Sequence, residues 1–203
     1  MRMKHRSSVI ISGMLLSAFL LVPGKGYSQL FINEFMAKNK SGLKDNHGKT
    51  TDWIEIYNAG NAPVNIGGYC ISDSVGYPCK CRIPSSKADS TTIKAHGFIV
   101  LYADGTPAAG VRHLSFRLSK KGEILGLYRK TSTGTELVDV ITFKSQVKDI
   151  SYGRVPDGSN NWKYIQTPSP GSSNNKAKTG KPAKKKSSKD GKKASKNGEN
   201  EEL

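Results

Sequence analysis

Six carboxylates, Glu34, Asp45, Asp52, Glu55, Asp73 and Asp104, are the groups of this chain best suited to chemistry, as a hydrolytic pair or as oxygen ligands for a cation. Their spacing favours neither use. None falls in the ordered pattern of a calcium loop, and Asp73 and Asp104 sit among turn residues, where a short carboxylate caps backbone N–H groups. Glu55 lies between Ile54 and Ile56 and is expected on the opposite, outward face of a strand. Solvated or turn-capping roles are therefore expected, and no catalytic residue, metal ligand or cofactor contact is assigned. A small metal-dependent hydrolase using these acidic loops is an alternative, one that Asp52→Ala would inactivate.

The other nucleophile and base candidates point the same way. His5 belongs to the leader, and His47, His96 and His113 stand in contexts that read as turn, turn and strand start. No serine occupies a nucleophile elbow, and no cysteine is paired with a histidine by proximity. Ile66-Gly67-Gly68 lacks phosphate-loop spacing and reads as a bulge or a sharp strand entry. Trp53, Tyr57, Tyr69, Phe98, Phe116, Trp162 and Tyr164 fall mostly on strand positions where aromatic rings fill a core. Trp162 lies in a closing loop and is likewise expected to pack.

Cys70, Cys79 and Cys81 are odd in number, so an oxidising compartment leaves at least one without an intramolecular partner. If Ile71 and Ile83 share the core face of a hairpin, Cys79 and Cys81 lie on that face and Cys70 on the other. A regular ladder then forbids a bond, and a bulge around Pro78 restores it. Cys70–Cys81 is the candidate disulfide, with Cys79 the other choice of partner. Three thiols without a nearby histidine make an incomplete zinc site.

These side chains sit on short alternating runs punctuated by Gly, Asn, Asp and Pro, with no convincing helical period from 29 to 171. The runs start at Leu30 to Phe35, Asp52 to Tyr57, Val64 to Ser72 and Cys79 to Ile83. Gly97 to Ala103 is nearly continuous in apolar residues and suits an interior strand covered on both faces. His113 to Leu118 alternates, and Gly122 to Tyr128 with Glu136 to Phe143 form a hairpin about Thr131 to Gly134. Seven to nine short strands at this spacing indicate one all-β sandwich domain over residues 29–171.

The flanks differ in kind from this domain. Arg2, Lys4 and Arg6 precede an apolar run of roughly 14 residues, short of the roughly 20 a spanning helix needs, and a small-residue exit follows at Gly26-Tyr27-Ser28. That is the layout of a secretory signal peptide over residues 1–28. No transmembrane segment is expected in the mature chain, which is expected to be exported to periplasm, cell surface or exterior. Residues 172–203 hold ten lysines against four carboxylates, with no aromatic residue and no aliphatic one larger than alanine before Leu203. Such a segment cannot offset its ordering entropy by burial, and a disordered basic tail is expected. Lys184, Lys185, Lys186, Lys189, Lys192 and Lys193 are its candidate polyanion contacts. Without interleaved aromatics, any binding to DNA is expected to ignore sequence and to depend steeply on salt.

INEFMAKN, DWIEIYN, GGYCISD, ADG, FRLSKKGEILGLY and SYGRVPDGSNNWKYIQTPSPGSSN, taken in order, resemble the bacterial form of the lamin tail domain. The resemblance spans nearly all of residues 30–174 and implies an immunoglobulin-like β-sandwich. It also implies a docking or accessory module, as in animal lamins and in exported bacterial proteins where it sometimes stands beside hydrolase or nuclease domains; if catalysis resides in those neighbours, this chain lacks it. The expectation is an exported, non-catalytic interaction module that docks a protein or an anionic envelope polymer, its tail adding electrostatic attachment. A sequence-nonspecific nucleic-acid-binding protein of the cell exterior is another alternative.

Overall fold

A computed structural model describes residues 29–180, and these form an almost purely β structure of eleven strands. One sheet is built from β1 (Leu30–Met36), β2 (Trp53–Asn58), β7 (Phe98–Tyr102), β10 (Ser151–Arg154) and β11 (Trp162–Ile165) in the order β11-β10-β1-β2-β7. The second contains β4 (Cys70–Ser72), β5 (Cys81–Arg82), β8 (Gly122–Lys130) and β9 (Thr135–Lys144) in the order β5-β4-β8-β9. A small ribbon pairs β3 (Val64–Asn65) with β6 (Thr92–Ile93). Among the described residues helical structure is confined to α1 (Ala88–Thr91) and two single 3-10 turns.

Alternation places Ile54 and Ile56 of β2, Ile99 and Leu101 of β7, and Ile71, Leu125, Leu127 and Phe143 of the second sheet in one shared core. On β1, Leu30, Ile32 and Phe35 all enter that core, which a strict period of two forbids. A register shift between Ile32 and Glu34 resolves the conflict: Asn33 is the extra residue, and the strand's parity flips across it. Backbone groups freed at such a bulge need new partners. The Ile32 N–H donates to Asp139 Oδ2 of β9 at 2.8 Å, and the Ile32 carbonyl accepts from Arg154 Nε of β10 at 2.9 Å. Arg154 in turn places Nη2 at 2.9 Å from both Asp139 oxygens and lies over the Trp162 ring. The Asp139–Arg154 pair thus clamps the bulge and ties the two sheets together. Trp162 packs against the core and stacks on Tyr152, as expected of it.

Several expectations need correction. Ile99 to Ala103 is buried on both faces, with Gly97 and Phe98 half-buried, but β7 lies at a sheet edge, where the segment before Leu114 covers it through a Tyr102–His113 bridge. Leu114 to Leu118 keeps its alternation in burial, with His113 also buried, yet the segment makes only isolated bridges. Val64 to Ser72 is broken in two because Gly68 turns the chain at φ 89°. The domain also continues past 171. Asn174 is buried, with Nδ2 donating to the carbonyls of Asn33 and Arg154, and Thr179 bridges to Ile165. The fold therefore uses polar groups from 172–180 that a tally of apolar residues overlooks.

Cys70 pairs with Cys79, with Cα atoms 4.8 Å apart, and Cys81 is a buried free thiol. This overturns the Cys70–Cys81 candidate. In the β4–β5 ladder Cys81 stands opposite Ile71 and faces the core, whereas Cys79 lies before β5, free of the ladder's alternation. Alkylation should label no thiol in the native protein, one after unfolding and three after unfolding with reduction. Reduction of the nine-residue loop closure should cost about 2–3 kcal/mol of stability. Two or more thiols in the unfolded, unreduced chain would contradict this pairing.

Candidate functional site

The outer face of the first sheet carries Glu34 and Glu55 directly opposite each other on β1 and β2. Glu55 does point away from Ile54 and Ile56, but it is fully buried, contrary to the outward, solvated position expected. The cover is the segment after β11, which lies across the face as a strap. Gly171 N–H donates to Glu55 Oε2 at 2.6 Å, and Ser169 N–H donates to Glu34 Oε1 at 3.2 Å. Ser151 Oγ also donates to Glu34, and Asn33 Nδ2 reaches both Glu55 Oε1 and Asp157 Oδ1. Asp157 then accepts from Asn174 N–H, fastening the end of the strap.

Burial pushes the Glu55 carboxyl up to about 9, with the nearby Glu34 charge adding to the rise. Burial likewise raises Glu34, against the opposing hydrogen bonds from Ser151 and Ser169. A close pair of carboxyls with raised proton affinity has the profile of an acid–base site, but these two are sealed by the strap. Next to them Met36, Trp53, Val100 and Tyr102 form a second apolar cluster on the same face. A notch of about 180 Å³ lined by Trp53, Met36, Leu43, Pro168 and Pro170 lies at its edge.

The open site is elsewhere, at one end of the sheet. A cleft of about 280 Å³ is lined by Asp45, Asp52 and Asp104 together with Lys40, Lys49 and Arg117. Asp45 closes a tight loop between the bridged Lys44 and Thr50. Its Oδ1 accepts from His47 N–H at 2.8 Å and Lys49 N–H at 2.9 Å, while Gly48 adopts φ 77°. Asp104 follows β7 and, as expected, caps a turn, accepting from Thr106 N–H at 3.0 Å. Burial alone would raise both carboxyls, but these N–H donors and the nearby His113 bring each below the ordinary aspartate range.

His113, itself buried, closes the cluster. Its Nδ1 lies 2.8 Å from Asp104 Oδ2 and its Nε2 lies 2.6 Å from Asn46 Oδ1. Asp45, Asp104 and His113 each offer a donor atom within 4.8 Å of the others'. This grouping was not legible in the sequence, where its members are separated by 59 and 9 positions. The remaining acids do not join it. Asp52 accepts from Asn39 N–H at 2.9 Å, and Asp73 pairs with Lys80 at 2.7 Å instead of capping a backbone amide. His96 is exposed and contacts Asn61. Lys184, Lys185, Lys186, Lys189, Lys192 and Lys193, and the leader over 1–28, lie outside the described residues.

Compared with known proteins, residues 23–145 of the chain match the family model described as Lamin Tail Domain. The match takes in β1 through β9 and ends before β10, the strand that completes the sheet beside β1. No curated protein and no solved structure matches the chain.

Proposed function

Because the chain belongs to the lamin tail domain family, a family of non-catalytic immunoglobulin-like modules, we propose that it is an exported docking module whose partner is a protein or an anionic envelope polymer. The observation that supports docking over chemistry is the sealing of Glu34 and Glu55. Both carboxyls are fully buried and accept hydrogen bonds from the strap's Ser169 and Gly171 N–H groups. The surface left for a partner includes the open cleft, which presents groups of both signs and so suits a polar partner. No helix among the described residues is long and apolar enough to cross a membrane. In this reading the signal segment exports the protein, and the basic tail supplies sequence-blind attachment to polyanions.

The tail's part is tested by binding to heparin and duplex DNA across a salt series. The comparison is between the protein and a variant in which Lys184, Lys185, Lys186, Lys189, Lys192 and Lys193 are serine. Loss of six cationic contacts should lower the slope of log K against log salt on DNA by roughly 5, at about 0.9 per phosphate. An unchanged slope would remove the tail from the reading and leave attachment to the domain. Hydrolysis of a phosphodiester or phosphomonoester by the pure protein, lost in Asp52→Ala, would overturn the non-catalytic reading itself.

A further inference from the structure

We propose that the tip of the β4–β5 loop, Val75 and Tyr77, inserts into the interface of an anionic lipid bilayer, while Lys120, Lys121 and Lys144 beside it meet the headgroups. Val75 is 64 % and Tyr77 62 % exposed, more than any other large apolar side chain among the described residues. Only Gly76 separates them, so one protrusion carries both. Tyrosine suits the headgroup boundary, because its ring is apolar and its hydroxyl can stay wet.

The loop holds these side chains outward. The Cys70–Cys79 disulfide closes its base. Ser72 Oγ donates to the Tyr77 carbonyl at 2.7 Å and accepts from Ser74 N–H at 3.0 Å, and Lys80 Nζ lies 2.7 Å from both Asp73 oxygens. These ties join the outgoing leg of the loop to the returning one. Its shape is therefore set before it meets a surface, and little ordering entropy remains to be lost on docking.

Charge decides what the tip meets. Ser72 pairs with Gly126 in the antiparallel β4–β8 ladder, so the loop runs on toward the start of β8. There Gly122 pairs with Lys144, and Lys120 and Lys121 come just before it. All three lysines are exposed, and none makes a salt bridge among the described residues. The nearest acids are engaged, Asp73 by Lys80 and Glu123 by the Ser119 N–H at 2.8 Å. A convex apolar tip flanked by unpaired charge of one sign complements a flat anionic surface, where apolar insertion and cationic contact act together. The export proposed above is the setting for this contact, but the chemistry of the loop is read in vitro and independently of it.

The test is sedimentation of the exported form, residues 29–203, with vesicles of phosphatidylcholine alone and of phosphatidylcholine mixed with phosphatidylglycerol. Binding should require the anionic lipid. Val75→Ser combined with Tyr77→Ser should weaken it about tenfold or more through lost apolar burial. Lys120→Gln, Lys121→Gln and Lys144→Gln together should weaken it about a hundredfold, at roughly fivefold per lysine near the surface. In Tyr77→Trp the emission should move to the blue on mixed vesicles and be quenched by lipids with brominated chains. The tail variant with six serines should bind less tightly at low salt, and in combination with Tyr77→Trp it should keep that shift, which separates the loop from the tail. Absence of binding to anionic vesicles would overturn the proposal and leave a protein pocket as the occupant. So would binding unchanged in the folded Val75 and Tyr77 double variant, or an unshifted emission in Tyr77→Trp.

Discussion

Arg154→Ala should lower the stability of the domain by about 3–5 kcal/mol, the usual cost of removing one partner from a buried ion pair. For a domain of this size that is a fall in Tm of roughly 10 °C or more. The loss is large because one side chain serves several groups that have no substitute. Without it Asp139 stays buried with its charge uncompensated, and the Ile32 carbonyl and the Ser159 carbonyl each lose a donor. Burial already holds the Asp139 carboxyl above the ordinary aspartate range even with Arg154 against it. The double variant Arg154→Met with Asp139→Leu should recover part of the loss, since no lone charge then remains buried. Chemical denaturation of both variants and of Asp139→Leu closes the cycle. A cost below 1 kcal/mol for Arg154→Ala would show that the bulge does not need its clamp.

The second large effect is on pH dependence. The folded Glu55 carboxyl keeps its proton to about 9, whereas in the unfolded chain it ionises near its ordinary value of 4.5. Between those limits the folded state holds a proton that the unfolded state has released. The associated stability is therefore fully present below 4.5 and is lost as pH rises toward 9, with a slope on the order of 1.4 kcal/mol per pH unit for one proton. Glu34 shifts in the same direction and adds to the slope. Urea midpoints measured from pH 5 to 9 should decline steadily in the native protein. In Glu55→Gln, which is neutral throughout and keeps an acceptor for the Gly171 N–H, most of that decline should vanish. A flat profile in the native protein would mean that the pair is solvated in solution and that the strap does not seal it.

The residues that were legible from sequence are those whose placement follows from local periodicity. Ile54, Ile56 and the hairpin at Thr131 to Gly134 need nothing beyond alternation and turn chemistry, and the strands form there. The direction of Glu55 was equally readable. Its burial was not, because the cover comes from Gly171, more than a hundred positions away, in a stretch of Ser, Asn and Pro with no apolar signal. The same blindness placed the end of the domain at 171, since Asn174 contributes through hydrogen bonds and not through buried carbon. Alternation puts Cys79 and Cys81 on one face and so does not choose between them; the choice falls to Cys79 because it lies before β5, outside the ladder that holds Cys81 opposite Ile71. The Asp45, Asp104 and His113 cluster is a product of tertiary convergence alone. Asp104 reads as a turn cap and His113 as a strand start, and the bridges Tyr102–His113 and Asp104–Arg117 bring them together.

The first strand of the fold is flanked on one side by its neighbour in sequence and on the other by β10, with Asn174 hydrogen-bonded to its bulge from 141 residues downstream. A chain emerging in order from a ribosome therefore cannot finish its first strand until nearly the last residue of the domain has appeared. Contacts of such long sequence separation also make folding slow, because the loop must close before any of them forms. The β1–β2 and β8–β9 ladders need nothing from the strap, so the late arrival of Arg154 and Asn174 leaves the closing of the β1 edge as the last step of assembly.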